Sequence, residues 1–192
     1  MKHYVPIFAL ALGVLFAGCQ TSDKPTVSSL PEIKEAPDFT FTNYDGSTLN
    51  EEELRGNIYI ASFFFTSCGG PCPVMNSNAN VLQAEYEGAE NFKIVSFTVD
   101  PDTDSIERLS RYAERYNAKP GKWFFLRNEK EVVGQLAEKG FMMGDGTTPA
   151  LHSTRFALVD SKGVIRGYYD GTDKEKMDEL RAAIDFLLGA NA

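Results

Sequence analysis

The sequence predicts an α/β domain, a mixed sheet flanked by helices, and three observations predict it. The apolar runs at 58–65 and 92–99 are near-continuous rather than alternating, as strands covered on both faces are. Segments with helical periodicity and capping residues alternate with these runs. Two further strands, 155–160 and 164–169, are separated only by Ser161-Lys162-Gly163, which reads as a hairpin turn.

Each element follows in order. Phe39 and Phe41 alternate with Thr40 and Thr42 ahead of the turn pair Asp45-Gly46, which predicts a leading β-hairpin. The strand at 58–65, a helix at 73–86 and the strand at 92–99 make a β-α-β unit with parallel strands. Asp104 and Glu107 read as an N-cap and its box partner for a helix over 105–116. A short strand follows at 123–126, and Asn128 with Glu131 introduces a helix that ends at Gly140. Thr172 and Glu175 cap the final helix, whose apolar face is Met177, Leu180, Ile184 and Leu187 or Leu188. This order is that of a thioredoxin-like domain in three layers, with the hairpin and the 140–151 loop as additions.

The N-terminus divides the chain. Lys2 precedes an apolar run from Val5 to Phe16, which suits a signal peptide and is short for a membrane span of about 20 residues. Phe16-Ala17-Gly18-Cys19 resembles a bacterial lipobox, which makes Cys19 a lipidation site and residues 1–18 a removed leader. Residues 19–36 then read as the lipidated Cys and a polar tether, and 37–192 as the folded domain. The expected location is outside the cytoplasm, on a bacterial membrane, periplasmic or at the cell surface. Loss of residues 1–18 removes only Lys2, leaving 18 Lys and Arg against 27 Asp and Glu, a net charge of −9. An acidic domain repels phosphate backbones, so nucleic acid is excluded as the expected partner.

With Cys19 taken by lipid, one cysteine pair remains, Cys68 and Cys72, and an exported compartment allows it to form a disulfide. The segment Phe65-Thr66-Ser67-Cys68-Gly69-Gly70-Pro71-Cys72-Pro73 lies where the first central strand gives way to its helix, the end of an open sheet at which sites form. A helix N-terminus lowers a thiol pKa, and the thiolate is both nucleophile and metal ligand. At helical i, i+4 spacing the two residues share a face, and Gly69 and Gly70 leave freedom to hold a metal or close a disulfide. A purely structural disulfide would staple little across four residues. His152 is the only histidine beyond the leader. Read alone it is a surface residue; in a thioredoxin-like topology its loop enters the strand beside the first central strand, near the cysteines. Two thiolates and an imidazole make a soft three-coordinate set that suits Cu(I), whereas structural zinc asks for a fourth ligand.

Four segments carry a resemblance to a known family: FFFTSCGGPCP at 63–73, FTVDPDTDSIERLSRYAERY at 97–116, Trp123 with its strand, and HSTRFALVDSKGVIRGYYDG at 152–171. Together they resemble the SCO/SenC family, copper proteins of cytochrome oxidase assembly. The resemblance implies a thioredoxin-like fold, a membrane tether, and Cu(I) or Cu(II) held by Cys68, Cys72 and His152. It implies a metallochaperone that hands copper to a cuproprotein, a cytochrome c oxidase subunit being the expected receiver. Asp100 and Asp104 match the family's acidic motif and are accessory candidates. Gly69-Gly70 stands where the family often has Pro-Asp, and the stretch before His152 differs too. Met142 and Met143 read as loop or core methionines.

Two enzyme readings compete. A thiol-disulfide reductase needs only the two sulfurs, but such enzymes usually carry C-x2-C and a cis-Pro before the strand at 155–160, where this chain has Thr154. A peroxidase on this fold places Thr three residues before its reactive Cys, where Phe65 stands.

Overall fold

The computed structural model describes residues 29–144 and 153–190, together with Met1. Eight strands form one sheet: β1 (Lys34–Glu35), β2 (Thr40–Asn43), β3 (Thr48–Asn50), β4 (Ile58–Phe64), β5 (Phe92–Thr98), β6 (Trp123–Arg127), β7 (Arg155–Val159) and β8 (Val164–Asp170). Their order across the sheet is β1-β8-β7-β4-β5-β6-β2-β3. The helices are α1 (Pro71–Glu85), α2 (Ile106–Arg115), α3 (Lys130–Gln135) and α4 (Lys174–Ala190), with a 3-10 turn at Glu51–Leu54. The chain has the thioredoxin-like arrangement the sequence predicts. β4 pairs parallel with β5, and β5 with β6, while β7 runs antiparallel to β4 and β8 antiparallel to β7.

The continuous apolar character of β4 has a simple cause: all seven of its residues are buried, because the sheet is covered on both faces. Ile58, Ile60 and Phe64 pack with Leu82 of α1, Leu109 of α2 and Leu180 and Ile184 of α4. Tyr59, Ala61 and Phe63 pack on the other side with Phe39 and Phe41 of the hairpin, Val133 of α3 and Phe141. Phe63 stacks on Phe97 at 5.3 Å between ring centroids, so the hairpin side carries an aromatic core as well.

The start residues of the helices differ from those the sequence suggests. α1 begins at Pro71, two residues earlier than expected, because proline supplies its first position and needs no hydrogen-bonded N–H there. Ser105, not Asp104, caps α2, its Oγ accepting the Arg108 N–H. Glu129 occupies the cap position of α3 with no side-chain bond, and Asn128 Oδ1 accepts the Glu129 N–H instead. Asp173, not Thr172, accepts the Lys176 N–H at the start of α4, while Thr172 turns back to Asp170. The predicted end at Gly140 holds, through a wide turn over Leu136–Gly140. A Cβ there would lie 2.8 Å from Pro37 Cγ, so only glycine admits the Pro37 ring.

Residues 30–36, which the sequence assigns to the tether, contact the sheet. Lys34 and Glu35 pair with Ile165 and Val164, and the Ile33 N–H donates to Ile165 O at 3.0 Å. The Arg166 guanidinium donates to the carbonyls of Pro31 (2.6 Å) and Leu30 (2.7 Å) while pairing with Asp160 at 2.7 Å. Backbone from Leu30 onward therefore belongs to the fold.

Candidate metal centre

β4 delivers the chain to the site and α1 carries it away. After Phe64 the backbone turns through Phe65 and Thr66, and the Cys68 N–H donates to Phe65 O at 3.2 Å. Gly69 and Gly70 follow with open space where a side chain would stand. Since α1 starts at Pro71, Cys72 sits in its first turn while Cys68 lies outside the helix. The turn at 65–68, rather than a shared helical face, brings the two residues together.

Cys68 and Cys72 are not joined by a disulfide, and their side chains are in hydrogen-bonding contact. Their surroundings differ. Cys68 is half-buried and Cys72 is 0 % exposed. Burial, with the hydrogen bond to Cys68, pushes the Cys72 thiol up to about 12. The expectation that the helix N-terminus lowers this pKa is therefore corrected for Cys72. Removing the sulfur from water outweighs the stabilisation offered by nearby backbone groups, among them the Phe65 amide. Below the thiol, Tyr112 stacks on Phe64 at 5.2 Å and its hydroxyl accepts from Asn76 Nδ2 at 2.8 Å.

Asp104 takes another place than the N-cap. Its side chain is 0 % exposed and accepts from the Thr66 N–H (3.1 Å), the Thr66 hydroxyl and the Thr98 hydroxyl (2.5 Å). It thereby ties the cysteine turn to the end of β5. Asp100 lies two residues beyond β5, partly buried, with its N–H on Thr98 Oγ1 at 3.1 Å. Its carbonyl accepts from the Thr103 and Asp104 amides, which closes the acidic loop.

His152 and Cys19 lie outside the described residues, as do the rest of 145–152 and residues 2–18 of the expected leader. The chain resumes at Ser153, whose Oγ accepts from the Arg155 N–H and Nε, and Thr154 donates to Asp170 at 2.9 Å. β7 is antiparallel to β4, with Ala157 opposite Ala61, so Arg155 enters the sheet at the end where β4 departs for Cys68. Among the described residues no group of three or more His, Cys, Asp and Glu side chains gathers as a metal site. Nor is any described helix long and apolar enough to cross a membrane. Met143 is buried in the core; Met142 is exposed, with φ of 53°.

Sequence reasoning missed the Asp104–Thr66–Thr98 network and the Tyr112–Asn76 pair. Helical spacing could have found the second, since Asn76 follows Cys72 by one turn. The first links three separated segments and has no local signature.

Comparison with known proteins gives a consistent result. Residues 28–188 match the profile of the SCO1/SenC family. The SCO1 protein homolog of Bacillus subtilis is 31% identical over 153 residues, covering 76% of this chain and 79% of its own. A SCO1/SenC family lipoprotein from Bacillus anthracis has a similar crystal structure, with a TM-score of 0.73 and 28% identity over 80% of this chain and 94% of its own. BsSco, a member of the Sco family of cytochrome c oxidase assembly proteins in which a disulfide switch was identified, matches with a TM-score of 0.72 and 26% identity, over 85% and 98% of the two chains.

Proposed function

The chain belongs to the SCO1/SenC family, and from that footing we propose that it carries copper to a cuproprotein in cytochrome c oxidase assembly. Cys68 and Cys72 take the ion as thiolates and His152 completes the set. The observation that carries the reading is the pair of contacting sulfurs on an open glycine turn, one reachable from solvent and one sealed beneath it. Soft sulfur donors select Cu(I), and imidazole adds affinity for Cu(II). Copper here is cargo. Loading releases the thiol protons, and unloading requires a receiver whose donors approach the exposed side of the turn, where Gly69 and Gly70 leave the backbone bare. The half-buried Cys68 is the donor a receiver meets first.

Cys19 holds the mature protein on the membrane by lipid, in keeping with the lipobox-like FAGC and with the lipoprotein of similar structure. The receiver is a cytochrome c oxidase subunit.

A second reading is favoured by the contact between the two thiols. Cys68 and Cys72 are placed for thiol-disulfide exchange with a partner: the thiolate of one attacks a partner sulfur, the other resolves the mixed disulfide, and the two electrons pass to the partner. Copper titration separates the readings. The dithiol should retain about one equivalent against a modest competitor and the oxidised form little. A dithiol that retains no copper yet reduces disulfides rapidly makes the exchange reading the correct one.

A further inference from the structure

The buried carboxylate of Asp104 has more partners than a helix start needs. Oδ2 accepts from the Thr66 N–H at 3.1 Å and from Thr98 Oγ1 at 2.5 Å, and Oδ1 accepts from the Thr66 hydroxyl. Each of these hydroxyls also accepts one bond of its own. Arg108 Nε donates to Thr66 Oγ1 at 2.5 Å, and the Asp100 N–H donates to Thr98 Oγ1 at 3.1 Å. Arg108 Nε further stands 3.7 Å from Asp104 Oδ1. Both threonine hydroxyls therefore have a fixed direction, proton toward the carboxylate and lone pair toward an N–H. Thr66 is a corner of the turn that the Cys68 N–H closes on Phe65 O. The helix that follows Asp104 is capped independently by Ser105.

We propose that Asp104 is a positioning residue for the cysteine pair: through Thr66 it locks the 65–68 turn against β5 and holds Cys68 in contact with Cys72. The inference rests on the reading of the two cysteines as the working pair and does not depend on copper being the cargo. Cys72 is fixed by burial in the first turn of α1, so the freedom of the pair resides in Cys68 and its turn. Pinning that turn raises the effective concentration of one sulfur at the other, which favours both closure of the disulfide and chelation of one metal ion by two donors. A carboxylate suits this position because its two oxygens only accept. An asparagine with its oxygen in the Oδ2 place would set its N–H₂ against the Thr66 hydroxyl, which already accepts from Arg108, and leave that hydroxyl proton without its acceptor.

The test is the dithiol–disulfide equilibrium of the full chain against a reference dithiol, measured for wild type, Asp104→Asn, Thr66→Val, the double variant and Ser105→Ala. Asp104→Asn and Thr66→Val should each shift the equilibrium toward the dithiol by about tenfold, about 30 mV for a two-electron couple. The double variant should shift by little more than either alone, since both break one network. Ser105→Ala weakens the cap of α2 next door without touching Thr66, and should leave the equilibrium unchanged. Should Asp104→Asn fail to fold, Thr66→Val retains the carboxylate and carries the test by itself. An unchanged equilibrium in Thr66→Val, or an equal shift in Ser105→Ala, overturns the proposal. A wild-type dithiol that binds no copper overturns the cargo reading and leaves this measurement standing.

Discussion

Cys68 and Cys72 touch, yet one is open to solvent and the other is sealed beneath it, in the first turn of α1. At neutral pH an alkylating reagent should therefore modify Cys68 and spare Cys72. Exposure favours the first, and the Cys72 thiol is held protonated, pushed up to about 12 by burial and by Cys68. Peptide mapping of the dithiol after brief iodoacetamide treatment checks this. Faster labelling of Cys72 would mean that the turn opens readily in solution.

The same burial gives the dithiol form an alkaline weakness. A thiol whose folded pKa lies above its unfolded value favours folding fully only below the unfolded value, which here is 9.0. As pH rises from about 9 toward about 12, the unfolded chain ionises Cys72 while the folded one holds it neutral, and stability falls. Buried Tyr59 and Tyr112, whose hydroxyls are also raised by burial, add to this loss. The contribution of Cys72 is isolated by comparing urea midpoints of the dithiol with those of Cys72→Ala at pH 7.5 and 10.5. The variant should lose less stability over that interval.

Substitution at two of the three expected ligands should give separable results. Cys72→Ser removes one of two soft donors and should abolish tight Cu(I) retention as well as completion of disulfide exchange. His152→Ala keeps both sulfurs, so Cu(I) should persist with lower affinity while the Cu(II) absorption spectrum changes or disappears. Disulfide exchange should be unaffected by His152→Ala. Identical Cu(II) spectra for wild type and His152→Ala would remove the histidine from the site.

The start of α4 offers a check on the capping assignments. Asp173→Ala removes the acceptor for the Lys176 N–H and should cost about 1 kcal/mol. Thr172→Ala, the substitution the sequence pattern points to, leaves that acceptor in place and should cost less in the same denaturation series.

What the sequence makes legible follows from the range of the interactions. Burial on both faces shows in the near-continuous apolar character of β4 and β5, and period-two alternation shows in Phe39 and Phe41. The Cys68–Cys72 pair stood out because cysteine is rare in this chain and the spacing is short. The pattern places two caps one residue early, at Asp104 and Thr172, because Asp, Ser and Thr cluster there, and local pattern cannot choose among chemically similar acceptors. Asp104 was then free for a role that only the fold creates. Thr66 and Thr98 reach it from the ends of two parallel strands, 32 positions apart in the chain. The shift of the Cys72 thiol was likewise beyond reach, since it depends on how deeply α1 seats its first turn.

The pairing of Lys34 and Glu35 with β8, and the grip of Arg166 on Leu30 and Pro31, cover one end of a sheet margin. β8 is the next strand inward, and without the segment before Pro37 the outer N–H and C=O groups around Val164 and Ile165 would be open to any extended chain. A protein truncated at the boundary that sequence alone suggests, beginning at residue 37, should therefore self-associate through this margin. One beginning at residue 29 should stay monomeric at the same concentration, and sedimentation of the two forms reads the difference. On that outcome the residues that read as a leash also guard the margin against sheet-to-sheet addition.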